Sequence, residues 1–260
     1  MKNLSTLFAF TFLALLGIAN AQSADINAQE ILAASDAVRN PDFPFGLTTT
    51  LTEYRNGKQT DSSTLAVYSK ADNSNGQFRN LIRFVAPARD ANKLMLKSGN
   101  DLWFYDPANK ASIRISPQQR LLGQAANGDV VTVNLAKDYQ ATLASEEEIR
   151  DGERQTRLCY KLALAAITAD VTYHHIELWI DVKNKHPLKA RYYTESGRLL
   201  KTAYFRHYQQ QLGQDRPTET VIIDGLDPNW VTVMQLSDYA KRDVPDAWLQ
   251  RDYLPRFKPE

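Results

Sequence analysis

From Phe45 onward the apolar residues of this chain recur at every second position, the period of a strand that buries one face. Phe45, Leu47 and Leu51 share a face, followed by Leu65 and Val67, then by Phe78, Ile82 and Phe84 opposite Arg79 and Arg83. Leu94 and Leu96 alternate with Lys93, Met95 and Lys97. Leu102 and Phe104 oppose Trp103 and Tyr105, and Ile113 and Ile115 close the series. Between these runs stand turn sequences: Asn56-Gly57, Asn73-Ser74-Asn75-Gly76, Ser98-Gly99-Asn100 and Asp106-Pro107. Strands joined this tightly are antiparallel, because parallel neighbours need long crossovers that the spacing does not allow.

A second series runs from Tyr173 to Lys201. Ile176, Leu178 and Ile180 alternate with Glu177, Trp179 and Asp181; Pro187 opens a strand in which Leu188, Ala190 and Tyr192 alternate with Lys189, Arg191 and Tyr193. A Gly197 turn leads into Leu199 to Tyr208. Tyr139 to Leu143 and Leu158 to Ala166 precede this meander, and Thr220 to Ile223 and Val231 to Leu236 follow it. The expectation is one domain of about eleven strands. Helical signals are few. Asn27 to Val38 carries Ile31, Leu32, Ser35 and Val38 on one side, with Asn27 or Asp25 as its cap and Asn40-Pro41 as its stop. Ser116-Pro117-Gln118-Gln119 reads as a helix start, and the apolar but Gly-broken stretch Arg120 to Asp138 as a short helix or two over the sheet. Pro245 to Trp248 reads as a single helical turn.

A large sheet with one apolar face must cover it with a second sheet, by closing into a barrel, or with helices over a half-barrel. Two short helices do not fill a broad concavity. The pattern leaves open both a filled core and a hollow lined by Leu, Ile, Phe and Tyr.

The start of the chain gives an address. Met1-Lys2-Asn3 is followed by an apolar run, Leu4 to Ile18, and by Ala19-Asn20-Ala21. This is the order of a secretory signal peptide over residues 1–21, cleaved after Ala21, with the domain at 22–260 exported to the periplasm. The run is shorter than the roughly 20 apolar residues that span a bilayer. No cysteine follows the cleavage point to take a lipid. Cys159 is the only cysteine among 260 residues, so no internal disulfide forms, and nothing beside it in sequence would activate a thiolate. The net charge of +1 gives no footprint for nucleic acid.

Catalytic signatures are missing: no G-x-S-x-G, H-E-x-x-H, P-loop or dinucleotide glycine pattern occurs. No cofactor and no enzymatic activity are expected. In His174-His175-Ile176-Glu177, strand alternation brings only His175 and Glu177 to one face, where a zinc site needs three or four ligands. His186 and His207 fall in or beyond turns. Glu177 and Asp181 read as cross-strand ion pairs with nearby lysines and arginines. Glu146-Glu147-Glu148 reads as a solvated run.

Four segments taken in order are more specific than any alone: the opening helix ending at Asn40-Pro41, Leu102-Trp103-Phe104-Tyr105-Asp106-Pro107, the Trp179 to Lys201 meander, and Trp248 to Leu254. They resemble the bacterial outer-membrane lipoprotein-sorting proteins, the superfamily of the periplasmic lipoprotein carrier, and its less characterised branch. The resemblance implies a mainly β fold, a single unclosed antiparallel β-barrel with short helices as a lid over a hydrophobic cavity. Phe45, Leu47, Leu51, Phe78, Ile82, Phe84, Leu94, Leu96, Leu102, Phe104, Ile113 and Ile115 are then the expected lining, with Leu121 and Leu122 on the lid. Arg55 and Arg79 are candidates for an arginine that steadies the lid. The implied function is a periplasmic carrier or chaperone for an acyl chain, lipoprotein or other apolar ligand. Its partners would be a lipid or lipidated protein and an inner-membrane transporter or outer-membrane acceptor, with the carrier itself a monomer. An envelope sensor or accessory to an exporter is the alternative. A lipid hydrolase would need an activated Ser, Cys or metal that the sequence does not display.

Overall fold

The computed structural model describes residues 27–99 and 101–258. The expected signal peptide over 1–21 and the alternative cap Asp25 lie outside the described residues. Helix α1 (Ala28–Arg39) begins where Asn27 Oδ1 accepts the N–H groups of Gln29 and Glu30 at 3.0 and 3.2 Å, and it ends at Asn40. It buries Ile31, Leu32, Ser35 and Val38, the side expected from their spacing.

Six strands follow as hairpins: β1 (Phe45–Arg55), β2 (Lys58–Ala71), β3 (Phe78–Ala86), β4 (Leu94–Ser98), β5 (Asp101–Asp106) and β6 (Ala111–Arg114). At the first turn Asn56 and Gly57 both have positive φ, 49° and 76°, the turn geometry that matches strand twist. A two-stranded ribbon, β7 (Arg120–Leu122) and β8 (Ala125–Ala126), and a single-turn α2 (Leu135–Asp138) come next. The remaining strands are β9 (Tyr139–Arg150), β10 (Thr156–Ala166), β11 (His175–Asp181), β12 (Pro187–Tyr193), β13 (Leu199–Gln211), β14 (Gln214–Asp224) and β15 (Trp230–Lys241). Thirteen strands form one antiparallel sheet in the order β6-β5-β4-β3-β2-β1-β15-β14-β13-β12-β11-β10-β9. Pairing of β1 with β15 joins the ends of the meander, so β6 and β9 are left as free edges and the sheet does not close. Residues 115–138 run from one free edge to the other across the concave face. They are the lid.

Three expectations are corrected here. The strand count is thirteen in the sheet plus two in the ribbon rather than about eleven, and β7 and β8 stand where a short helix was expected. No helix forms at Ser116. Ser116 Oγ does accept the Gln118 N–H at 3.1 Å, but Asn127 and Gly128 then donate to the carbonyls of Gln119 and Pro117 and commit the chain to the ribbon. Gly123, at φ +55°, makes the ribbon's turn, and a Cβ there would lie 2.2 Å from Thr232 Oγ1. Finally, Leu94 and Leu96 face away from the concave side. Met95 pairs with Ile82 and Leu96 with Leu81, so Met95 joins Ile82 inside while Leu94 and Leu96 pack outside against Tyr68, Tyr105, Val244 and Leu249. Every residue of Leu94-Met95-Leu96 is apolar because both faces of β4 are covered, so alternation could not choose between them.

The outer cover is the C-terminal strap. After β15 the chain turns over the convex side of β2 to β5 through two 3₁₀ segments, Asp246–Leu249 and Arg251–Arg256. Trp248 packs edge-on to Tyr68 and Phe257 at ring distances of 5.5 and 5.0 Å, and Asp246 pairs with Lys70 and Arg79.

Candidate functional site

Beneath the lid, Leu51, Leu65, Val67, Ile82, Phe84, Met95 and Leu102 meet Ala125, Val130 and Val131 in one packed cluster, joined by Leu47, Phe104, Ile115, Leu121 and Leu122. This half of the concavity is filled. Under α1 a second cluster joins Ile31 and Leu32 to Leu162, Leu164, Ile176, Leu178 and Ile180. Between the clusters the sheet and lid do not meet. Two adjoining hollows of about 120 and 110 Å³ remain. They share Arg39, Asp129, Val131, Val133, Phe205, Thr220 and Met234. The larger is completed by Ile176, Leu178, Tyr192, Lys201, Ala203 and Ile222 from β11 to β14.

The residues expected to line a cavity are distributed around this space. Phe45 and Leu47 border the smaller hollow. Phe84, Phe104, Ile113, Ile115, Leu121 and Leu122 border a separate open cleft of about 360 Å³ beside the ribbon, where Ile113 is 56% exposed. Phe78 stands edge-on to Phe45 at 6.3 Å and faces a surface cleft at the end of α1. Leu102 borders a gap of about 30 Å³ below Val131 and Val133. Leu51 and Ile82 are fully buried in the packed cluster, and Leu94 and Leu96 lie on the other face. The walls of the larger hollow were missed in the sequence. Lys201, Ala203 and Phe205 are in phase along β13, and a lysine in register with two apolar residues was the available signal.

Polar side chains hold the lid down. Asn80 accepts the Thr132 N–H at 2.9 Å and donates to its carbonyl at 3.0 Å; Gln77 does the same for Asn134 at 2.7 and 3.1 Å. Gln29 of α1 donates to the carbonyls of Ala136 and Tyr139 and accepts the Ala141 N–H. At the ribbon, Thr232 Oγ1 accepts the Gln124 N–H at 2.7 Å. Lys201 donates to the Gln124 carbonyl at 2.9 Å and pairs with Asp129, which also accepts from Tyr173 at 2.9 Å and from the Ala126 N–H at 2.7 Å. Desolvation lowers the Lys201 pKa, and the Asp129 carboxylate opposes that shift. Arg55 shares the Trp230 ring with Arg120 of the ribbon, while Arg79 lies under the strap. Arg55 lies 3.2 Å over the Trp230 ring and bonds Glu53, and Arg79 pairs with Asp72 and Asp246.

The other groups singled out in the sequence serve the outer face. Glu177 pairs with Lys161 at 2.6 Å and accepts from Tyr193, and Asp181 pairs with Arg157 at 2.7 Å. Glu147 accepts the Trp179 indole N–H at 2.6 Å. Cys159 is fully buried beside Trp179 and Leu188, and burial pushes its thiol up to about 12. Among the described residues, no three His, Cys, Asp or Glu side chains are grouped so as to hold a metal.

An open antiparallel sheet, curled around an internal hollow and crossed by a lid between its two free edges, defines the class of lidded half-barrels. The chain is 34% identical to a LolA superfamily protein from Nitrosomonas europaea over 88% of its own length and 99% of that chain, with a TM-score of 0.78. It belongs to the LolA superfamily. A family model described as an uncharacterized protein matches residues 76–256. The same fold is found in a DUF1329 family protein from Desulfovibrio piger, at 22% identity, 87% and 97% coverage and a TM-score of 0.73. It recurs in a protein from Vibrio parahaemolyticus described as an outer membrane lipoprotein-sorting protein domain, at 20% identity, 88% and 98% coverage and a TM-score of 0.71. No curated protein matches the sequence.

Proposed function

We propose that this chain is a periplasmic carrier that shields an acyl chain or similar apolar group of a lipid or lipidated protein. The hollow between β11 to β15 and residues 128–133 of the lid is the observation that carries this reading. Its walls are mainly apolar, and each buried methylene of a ligand is worth about 0.8 kcal/mol. A hollow of about 120 Å³ is close in size to engineered cavities of about 150 Å³ that hold one benzene. The structure is therefore a closed form, and a full acyl chain enters when the lid moves off the sheet. A membrane partner that binds the open lid would release the ligand by shifting that equilibrium. Cleavage after Ala21 and export are part of the proposal.

Mass spectrometry of the chain purified from a native periplasm tests it. A lipid or lipopeptide at near one per chain is the expected result. An empty protein that also takes up no apolar fluorescent probe would overturn the carrier reading.

A further inference from the structure

The larger hollow is not lined as a hydrocarbon slot needs to be. Thr220 is 4% exposed and borders both hollows, yet its hydroxyl makes no hydrogen bond among the described residues. Tyr192 borders the larger hollow and its hydroxyl is likewise unpartnered among them, while its ring lies against Tyr173 at 4.4 Å. Lys201 borders the same space 5.5 Å from the Tyr192 ring, and two of its three N–H bonds are taken by Gln124 and Asp129. Buried donors without partners are costly and are normally satisfied. Two unpartnered hydroxyls and the remaining N–H of Lys201, on residues that border one hollow, point to an acceptor that enters from outside.

The charge balance narrows what that acceptor is. The Lys201 ammonium is already neutralised by Asp129, the Arg39 guanidinium that borders both hollows is paired with Asp36, and Asp138 borders the larger hollow as well. A carboxylate or phosphate would sit beside these carboxylates without a free cation in compensation. A neutral oxygen meets no such opposition. We infer that the hollow recognises an acyl ligand through an uncharged oxygen, the carbonyl of an ester or amide or a chain hydroxyl, received by Tyr192, Thr220 and Lys201. This rests on the carrier reading and adds to it which part of the ligand is read.

The test measures displacement of a bound apolar naphthylamine probe by dodecane, dodecan-1-ol, methyl dodecanoate and dodecanoate. Wild type is compared with Tyr192→Phe, Thr220→Val and the double variant. The expected result is a loss of about fivefold in affinity for the alcohol and ester per hydroxyl removed, with dodecane unchanged. Dodecanoate should be the weakest oxygenated competitor for wild type at neutral pH. Equal losses for dodecane and the ester, or none for either, would overturn the inference and leave the carrier reading standing, the hydroxyls then being served by water. Failure of wild type to bind the probe would remove both. A second readout needs no ligand. Thr220→Val should melt at or above the wild-type temperature, and a drop of several degrees would show that the hydroxyl holds a protein partner.

Discussion

The two halves of the thirteen-stranded sheet are built on one pattern and packed in opposite ways. Strands β2 to β5 are covered twice, by the lid cluster around Val130 and Val131 inside and by the strap around Val244, Leu249 and Leu254 outside. Strands β10 to β13 carry their aliphatics inward under α1 and the lid, and outward they present charge: Lys161, Lys189 and Arg191 lie 5.0, 4.7 and 5.6 Å from the Trp179 ring. The larger hollow lies on the singly covered side. A half held on both faces has no room to yield, so it serves as the frame against which the other half can admit a guest.

Core truncation should separate the halves most. Leu96→Ala, fully buried under the strap, should cost about 3 kcal/mol in urea unfolding, and Met234→Ala, on the hollow wall, about 1 kcal/mol or less because its side chain already faces empty space. Similar costs would erase the distinction. Asn80→Ala should cost about 2 kcal/mol, since it strands the Thr132 N–H and carbonyl, and hydrogen exchange should speed up over residues 130–135 and not over β2. Overpacking sharpens the comparison. Ala125→Leu in the filled half should cost about 2 kcal/mol, whereas Ala203→Leu should cost under about 1 kcal/mol and abolish probe binding by occupying the hollow.

The smallest effect is acid sensitivity in the singly covered half. Burial pushes the Asp181 carboxyl up, but hydrogen bonds from the Lys183 N–H, Arg157 and the Asn184 N–H together hold it below its ordinary value. Its stabilising contribution is therefore complete above about pH 4 and is lost as the pH falls through the lowered value. Melting curves taken downward from pH 5 should show that loss, and Asp181→Asn should flatten it.

The strands were legible because alternation states which face is apolar, and Leu102 and Phe104 do lie opposite Trp103 and Tyr105. The same rule failed at Leu94-Met95-Leu96, whose two faces are both covered by segments remote in sequence. It also misread Leu188, which a register shift between Trp179 and Ile180 sends outward to Cys159 and Trp179. Residues 115–138 resisted reading for another reason. Their path is fixed by Asn80, Gln77, Gln29, Thr232 and Lys201, none of them within the segment.

Those amides bear on how such a pocket can diversify. Asn80 and Gln77 grip peptide groups, which every residue type but proline supplies in full. The side chains at 131 and 133 border both hollows and take no part in that grip. Val131 and Val133 are thus positions where bulk can be traded for space without redrawing the backbone. Related chains, or a designer, could retune what fits inside by changing two valines while the fastening stays as it is.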